Sequence, residues 1–75
     1  MSELLGRRLR ALRRLKRYTQ QDLASEVGIS VSMLSSIERG GKYPRVDLLR
    51  KIARVLNVPV EELFVLPEIV QKHSL

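Results

Sequence analysis

The sequence predicts a compact all-α domain of five short helices, and three observations indicate this class. Hydrophobic residues make up 44% of the 75 residues and aromatic residues only 4%, which is typical of a helical domain with an aliphatic core. Apolar residues recur three and four positions apart in several segments, as on one helix face. Common helix-capping residues, among them Thr19, Gly28, Ser30 and Asn57, separate these segments. The length suits one small domain without a separate ligand-sensing domain.

The first helix is predicted from about Ser2 to Lys16. Leu5, Leu9 and Leu12 recur at helical spacing, and we expect them to face the core. Seven of the fourteen Lys and Arg residues of the chain lie between Arg7 and Arg17. Most of these cations are predicted to form a solvated face that adds long-range attraction for anions.

The second helix is predicted to begin after Thr19 and to end at Gly28. Asp22 follows Thr19 by three positions, which is the capping-box spacing with Asp in place of the usual Glu or Gln. Gly28 can adopt the left-handed conformation that follows many helices. Between these two caps, the residues predicted to face the core are Leu23, Ala24 and Val27.

The third helix is predicted to begin after Ser30 and to run to about Arg39. Ser30 is a suitable N-cap only two residues beyond Gly28, and Leu34 and Ile37 fall on one face of the helix. Helices joined by so tight a turn must cross steeply, because they cannot lie antiparallel. The third helix then keeps one face open, which is the helix-turn-helix arrangement that places a helix in the DNA major groove.

Two further helices are predicted after an exposed loop at 40–45. The fourth runs from about Val46 to Leu56, opened by Pro44 and ended by Asn57 in the left-handed conformation. A short fifth helix follows from Pro59. The residues predicted to face the core are Val46, Leu49, Ile52, Ala53 and Leu56 of the fourth helix, and Val58, Val60 and Leu63 around the fifth.

One long motif links the second helix to the loop after the third. It reads Thr-Gln-x-x-Leu-Ala, then Gly and Ser, then Leu-Ser-x-Ile-Glu-x-Gly and Pro, and occupies Thr19, Gln20, Leu23, Ala24, Gly28, Ser30, Leu34, Ser35, Ile37, Glu38, Gly40 and Pro44. It resembles the xenobiotic-response-element (XRE) family of helix-turn-helix repressors, which includes the lambda and 434 phage repressors, Cro and restriction-modification controller proteins. The resemblance runs from about Leu5 to Leu63. It implies a lambda-repressor-like DNA-binding domain, to which we assign 1–66. Because Pro67 is predicted to stop the fifth helix, 67–75 is predicted to be a tail or a short dimerisation arm.

The charge and the resemblance together predict a DNA-binding transcriptional regulator. The net charge of +6 and the pI near 10.5 favour a polyanionic partner. Composition alone also allows RNA or an anionic membrane surface, but the resemblance implies double-stranded DNA. It further implies a homodimeric repressor that recognises a palindromic operator. The alternative is an antitoxin-like or regulatory protein-interaction module whose DNA binding is autoregulatory.

Neither catalysis nor a cofactor is predicted. No nucleophile, base and orienting group can be assembled from this sequence, which makes an enzyme a poor interpretation. The absence of cysteine excludes disulfides and thiolate metal sites, and His73 has no carboxylate at ligand spacing, so no metal is expected. Because arginines begin at Arg7, neither a signal peptide nor a membrane span is predicted, and a cytoplasmic, nucleoid-associated location is expected.

The resemblance implies that the third helix reads DNA bases. Val31 and Ser32 enter the major groove first and Ser36 follows one turn later, which makes these three the implied base contacts. Valine can contact only a thymine methyl group, and a serine hydroxyl both donates and accepts, so we expect weak direct readout. Specificity then rests on methyl contacts, bridging water and DNA deformability, or on a side chain outside the helix. The implied phosphate contacts are Gln20, Ser30, Arg39, Lys42, Tyr43 and Arg45.

The resemblance also implies structural roles for residues outside the reading helix. Arg13 and Glu38 are implied to form a partly buried ion pair with two parallel hydrogen bonds, which would fix the first helix on the third. Arg17 stands where the family often has glycine, which predicts strain if that turn needs a positive φ. Apolar residues without a place in so small a core predict a dimer interface, or a surface for another protein, at Leu48, Val55, Phe64, Val65 and Leu66.

Overall fold

The computed structural model describes residues 2–64, which form four α-helices and one 3-10 helix without any strand. The helices are α1 (Ser2–Leu15), α2 (Gln20–Val27), α3 (Val31–Glu38), α4 (Val46–Leu56) and the 3-10 helix (Val60–Phe64). The predicted all-α class is confirmed for these residues. The fifth element is not an α-helix as predicted, because five residues allow little more than one turn and short pieces commonly adopt 3-10 geometry. Val65, Leu66 and the predicted arm at 67–75 lie outside the described residues.

The predicted caps define α2, α3 and the turn between them. Thr19 Oγ1 accepts from the Asp22 N–H at 2.9 Å, and the Asp22 carboxylate accepts from the Thr19 N–H at 3.2 Å. Gly28 ends α2 with a φ of 85°, and Ser30 Oγ accepts from the Met33 N–H at 3.0 Å to begin α3. Each of these three caps therefore satisfies backbone groups that would be unpaired at a helix end, through a side chain at Thr19 and Ser30 and through a left-handed glycine at Gly28. Three residues join α2 to α3, which packs against it as a helix-turn-helix unit.

The fourth helix has the predicted bounds but differs from the prediction at its start. Asn57 adopts the predicted left-handed conformation with a φ of 60°. Pro44 does not open the helix, because Arg45 is the N-cap and Pro44 is a buried loop residue before it. Val46, predicted to face the core, is 59% exposed. Val46 is the first residue of α4, and side chains in a helix tilt toward the N-terminus. The Val46 side chain therefore extends beyond the part of α4 that packs against the core.

The core contains aliphatic side chains from all five elements. The eight largest fully buried side chains are Leu9, Leu23, Leu34, Ile37, Leu49, Ile52, Leu56 and Leu63. Val58 and Val60 are only partly buried at its edge, together with Tyr18, Met33, Leu48 and Val55. Leu48 and Val55 thus pack against the core, contrary to the expectation that they have no place in it.

Gly6 allows α1 to cross the C-terminal end of α3 at very short distance. A Cβ atom at Gly6 would lie 2.5 Å from the carbonyl oxygens of both Ile37 and Glu38, which is closer than real side chains approach. Glycine is therefore the residue that permits this crossing. Because Arg10 and Arg13 follow Gly6 by about one and two helical turns, the crossing brings their side chains beside Glu38.

Candidate nucleic-acid interface

The outward face of α3 contains all three predicted base contacts. Val31 is 41% exposed, Ser32 is exposed, and Ser36 is half-buried one turn later. Met33 lies on a different side and packs partly against the core. Ser32 and Ser36 are four residues apart and therefore share one face, with Val31 beside them at the N-terminal end. This face can offer two hydroxyls and an isopropyl group to a partner.

The loop after α3 brings three predicted phosphate contacts to one flank of that helix. Lys42, Tyr43 and Arg45 are all exposed, and the buried Pro44 between them holds the loop against the protein. A groove of about 430 Å³ separates this loop from α3 and α4, and its lining includes Met33 and Leu48. The loop is thus a surface with two cations and a phenol hydroxyl next to the outward face of α3.

Ser30 and Gln20 stand at the N-terminal ends of the two motif helices. The Ser30 oxygen accepts the capping hydrogen bond, but its own hydroxyl hydrogen remains able to donate to an anion. The Gln20 side chain donates from Nε2 to Glu38 Oε1 at 3.0 Å, which leaves its second N–H for another acceptor. Each end also has unpaired backbone N–H groups and the positive end of the helix dipole, which favour a phosphate.

The buried carboxylate of Glu38 connects α1, α2 and α3. Arg13 donates from Nε to Glu38 Oε2 at 2.6 Å and from Nη2 to Oε1 at 3.1 Å, so the two side chains form a bidentate pair. Glu38 is only 2% exposed and Arg13 only 7%. Arg13 Nη1 also donates to the Tyr18 carbonyl at 2.7 Å, and the Arg10 Nε lies 3.8 Å from Glu38 Oε1. Among residues 2–64 no buried side-chain N or O atom lacks a hydrogen-bond partner, so both charged groups are satisfied.

A second groove, of about 500 Å³, opens beside this carboxylate on the other flank of α3. We name it the arginine groove, and it is lined by Arg10, Arg13, Arg14, Thr19, Gln20, Ser35, Glu38 and Arg39. Arg39 is exposed at the C-terminal end of α3, where its Nη1 donates to Ser35 Oγ at 2.8 Å. Four guanidinium groups against one carboxylate leave the groove with a net charge of +3. The open face of α3 is therefore bordered by cations on both sides.

Comparison with known proteins places this arrangement in a family. A helix-turn-helix family model matches residues 9–63, which is most of the chain. The chain belongs to the XRE-type helix-turn-helix family. Its relatives include YazB of Bacillus subtilis, described as an uncharacterized HTH-type transcriptional regulator, which is 48% identical over 62 residues covering 83% of this chain and 90% of YazB. The XRE resemblance is thereby confirmed, and the chain is a transcriptional regulator with a DNA-binding helix-turn-helix.

Solved structures of XRE-type regulators share its fold. The restriction-modification controller protein C.AhdI of Aeromonas hydrophila matches with a TM-score of 0.80 and 32% identity over 83% of this chain and 94% of that one. SinR, described as the master regulator for biofilm formation and solved in complex with DNA, matches with a TM-score of 0.77 and 37% identity over 81% of this chain and 98% of the solved one. In sequence, this chain spans 55% of the full length of SinR of Bacillus subtilis, with 38% identity.

Three features of this XRE-type regulator escaped prediction from the sequence. Arg8 is not part of a solvated face, because its Nη2 donates to Glu62 Oε1 at 2.8 Å and its Nε to the Glu62 carbonyl at 2.9 Å. This pair fastens the 3-10 helix to α1. Leu15, which no prediction singled out, is 73% exposed at the end of α1. Gly6 had one signal in the sequence, since it is an isolated glycine inside a helical pattern.

In the turn between α1 and α2, a residue other than glycine adopts the left-handed backbone conformation. Arg17 has a φ of 65°, a conformation that is unfavourable for residues with a Cβ atom. Tyr18 follows it and packs partly against the core. The expectation of strain at Arg17 is therefore met by the backbone geometry of this turn.

Residues 2–64 of the regulator contain no group of three or more His, Cys, Asp or Glu side chains placed to hold a metal ion. Over the same residues, no helix has the length and apolarity needed to cross a membrane. The relatives are named as transcriptional regulators, not as enzymes.

Proposed function

We propose that this regulator binds a palindromic double-stranded operator as a homodimer and represses transcription there. The observation that carries the proposal is the open face of α3 between two cationic flanks, the arginine groove and the loop with Lys42 and Arg45. A helix in the major groove has a phosphate backbone on each side, so cations on both flanks can neutralise both strands. The cytoplasmic nucleoid is the location that this activity requires.

In the proposed complex, the outward face of α3 contacts base edges. Val31 contacts thymine methyl groups, and the hydroxyls of Ser32 and Ser36 bond to base edges directly or through water. The exposure of Val31 and Ser32 supports this assignment. The proposed phosphate contacts are Gln20, Ser30, Arg39, Lys42, Tyr43 and Arg45. Because none of the three base-contacting side chains can form a bidentate pair with a base, the operator is expected to be defined largely by its shape.

The proposed dimer interface centres on Phe64. Phe64 is 48% exposed. Leu48 and Val55 are already partly buried against the core, so only the exposed part of each side chain can contribute to an interface. The sequence-based predictions for Val65, Leu66 and an arm at 67–75 lie outside the described residues. A twofold arrangement presents two copies of α3 to half-sites about one DNA turn apart, and it doubles the number of phosphate contacts.

Selection of bound duplexes from genomic fragments at near-physiological salt tests this function. The intact chain is compared with a Ser32→Ala, Ser36→Ala double variant, which keeps the scaffold and removes both hydroxyls from the open face. We expect a palindromic motif with half-sites about one turn apart, weakened or relaxed in the variant. Binding without an enriched motif that disappears steeply as salt rises would show that charge alone holds the DNA.

A second function, an antitoxin-like or regulatory interaction module with autoregulatory DNA binding, is favoured by the same exposed Phe64. Here Phe64 contacts a different protein instead of a second copy. Sedimentation equilibrium of the intact chain and of Phe64→Ser separates the two functions. A dimer that dissociates in the variant supports the homodimeric regulator, whereas a wild-type monomer at micromolar concentration supports the interaction module.

A further inference from the structure

We propose that the arginine groove holds one phosphate of the DNA backbone, clamped between Arg14 of α1 and Arg39, the C-cap residue of α3. The proposal rests on the DNA binding proposed above and adds Arg14, a residue expected to belong to a solvated face. It also joins Arg14, Arg39 and Gln20 in a single phosphate site. The three residues come from three different helices and line the same groove.

The inner part of the groove is already neutralised by internal contacts. Glu38 receives two hydrogen bonds from Arg13 and one from Gln20, and the Arg10 Nε lies 3.8 Å away. The inner carboxylate is therefore unavailable to a cation from outside, and it cannot repel a phosphate at full strength. The Glu38 carboxylate instead holds the lining of the groove in place, because it accepts hydrogen bonds from Arg13 of α1 and Gln20 of α2.

The outer part of the groove has cationic groups without such a partner. Arg14 and Arg39 are both exposed, and among residues 2–64 neither forms an ion pair with a carboxylate. Arg39 is held by its hydrogen bond to Ser35, which leaves the other guanidinium N–H groups free to donate. Both guanidinium groups line the groove, and guanidinium N–H groups form charge-assisted hydrogen bonds with phosphate oxygens.

The floor of the outer part adds neutral donors. Thr19 and Gln20 line the groove at the N-terminus of α2, where the first backbone N–H groups have no partner inside the helix. The second N–H of the Gln20 side chain is also uncommitted, since the first donates to Glu38. The hydrogen bond to Glu38 thus orients the Gln20 amide in the groove before a phosphate binds.

The position of the groove favours a backbone phosphate over a free phosphate. Arg14 and Arg39 are exposed, so the groove does not surround a free phosphate, whereas a small-molecule site buries most of the surface of its ligand. Ser35 and Arg39 place it on the flank of α3 opposite Met33, next to the outward face that carries Ser32 and Ser36. A DNA strand that borders the major groove would pass along this flank when α3 lies in the groove.

A double-mutant cycle between protein and DNA tests the clamp. Single phosphates of the selected operator duplex are replaced one at a time by neutral methylphosphonates, and affinities are measured by fluorescence anisotropy. The proteins are the intact chain, Arg14→Ala, Arg39→Ala and the control Arg54→Ala. Arg54 is an exposed arginine in the last turn of α4 and lines neither groove described above. It therefore matches the charge change without touching the proposed site.

For the intact chain we expect one phosphate per half-site whose neutralisation lowers affinity about tenfold, which is about 1.4 kcal/mol. Arg14→Ala and Arg39→Ala should bind the unmodified duplex about tenfold more weakly, with a log–log salt slope reduced by about 0.9. At the same phosphate each variant should lose only about threefold, because one of the two arginines that contact this phosphate is already missing. The Arg54→Ala control should keep the full loss at that phosphate.

Three outcomes would contradict the proposed phosphate site, and each indicates a different explanation. If the groove variants show the wild-type loss at every modified phosphate, the arginines act only through long-range attraction. If the intact chain binds the selected duplex no better than random DNA, the proposed function itself fails and the clamp with it. If inorganic phosphate without DNA shifts the Gln20 backbone amide signal with saturation at micromolar concentration, the groove is a site for free phosphate.

Discussion

The two flanks of α3 both carry positive charge, but they differ in how the cationic side chains are held. In the arginine groove, Glu38 ties together side chains from three helices, and the close crossing at Gly6 fixes the backbone behind them. On the other flank, Lys42 and Arg45 extend from an exposed loop anchored by Pro44. We therefore expect the arginine groove to position a phosphate and the loop chiefly to attract one. Orientation on DNA should therefore depend on the groove, and overall affinity on both.

The largest effect is expected from breaking the buried pair in the groove. Glu38→Ala leaves the Arg13 guanidinium buried without its carboxylate, and should lower the free energy of unfolding by about 3–5 kcal/mol. Urea denaturation followed by circular dichroism measures the loss. The double variant Arg13→Met, Glu38→Leu should lose less than either single change, because it removes both charges. Losses that simply add in the double variant would contradict the pairing.

A matched pair of glycine variants tests the difference in backbone tolerance between the flanks. Gly6→Ala places a Cβ atom 2.5 Å from two backbone carbonyl oxygens, and it should destabilise the fold by about 1–3 kcal/mol. At Gly41, in the loop, the nearest atom to an added Cβ is the Ser36 hydroxyl oxygen at 3.1 Å, and φ is not in the left-handed region. Gly41→Ala should therefore cost less than about 1 kcal/mol. Equal melting temperatures for the two variants would refute the difference.

A smaller effect, on affinity alone, is expected from the loop cations. Lys42→Ala and Arg45→Ala should each reduce the log–log salt slope of DNA binding by about 0.9 and weaken binding to all sequences alike. Both residues are exposed, so the urea midpoint should stay within experimental error of the wild type. Anisotropy titrations with operator and random duplexes at several salt concentrations measure this. A selective loss on the operator would instead place these residues in sequence recognition.

The smallest predicted change is a gain in stability in the turn before α2. Arg17→Gly removes the cost of a left-handed conformation for a residue with a Cβ atom, offset in part by the greater freedom of glycine in the unfolded chain. We expect the free energy of unfolding to rise by about 0.5 kcal/mol. Arg17→Ala serves as the control, because it removes the same charge but retains the Cβ atom. Stabilisation by both variants would point to charge repulsion instead of backbone strain.

The parts of the fold that could be predicted are those decided by neighbouring residues. Thr19, Gly28, Ser30 and Asn57 cap their helices as predicted, because each satisfies backbone groups a few positions away. The spacing of aliphatic residues likewise predicted the core of α1 to α4, apart from Val46. These interactions are present in the local sequence before any tertiary contact forms.

The parts that could not be predicted depend on elements far apart in the chain. The Arg8–Glu62 contact joins residues 54 positions apart, and no local pattern distinguishes Arg8 from its exposed neighbours. The close approach at Gly6 depends on the end of α3, which the sequence of α1 does not encode. The Arg13–Glu38 pair and the base contacts came from the family resemblance, not from spacing. The geometry that joins Arg14 to Arg39 required the packed structure of three helices.

The exposure of Val31 and Ser32 has a consequence for engineering. Neither side chain caps a helix, fills the core or contacts Glu38, so the framework that orients α3 does not depend on them. Their identities can therefore be varied in combination without a large cost in folding stability. A library randomised at these positions and at Ser36 would keep one scaffold while sampling many operators. With the proposed base contacts, the core and the helix caps would serve as a fixed scaffold, and the outward face of α3 as a replaceable recognition surface.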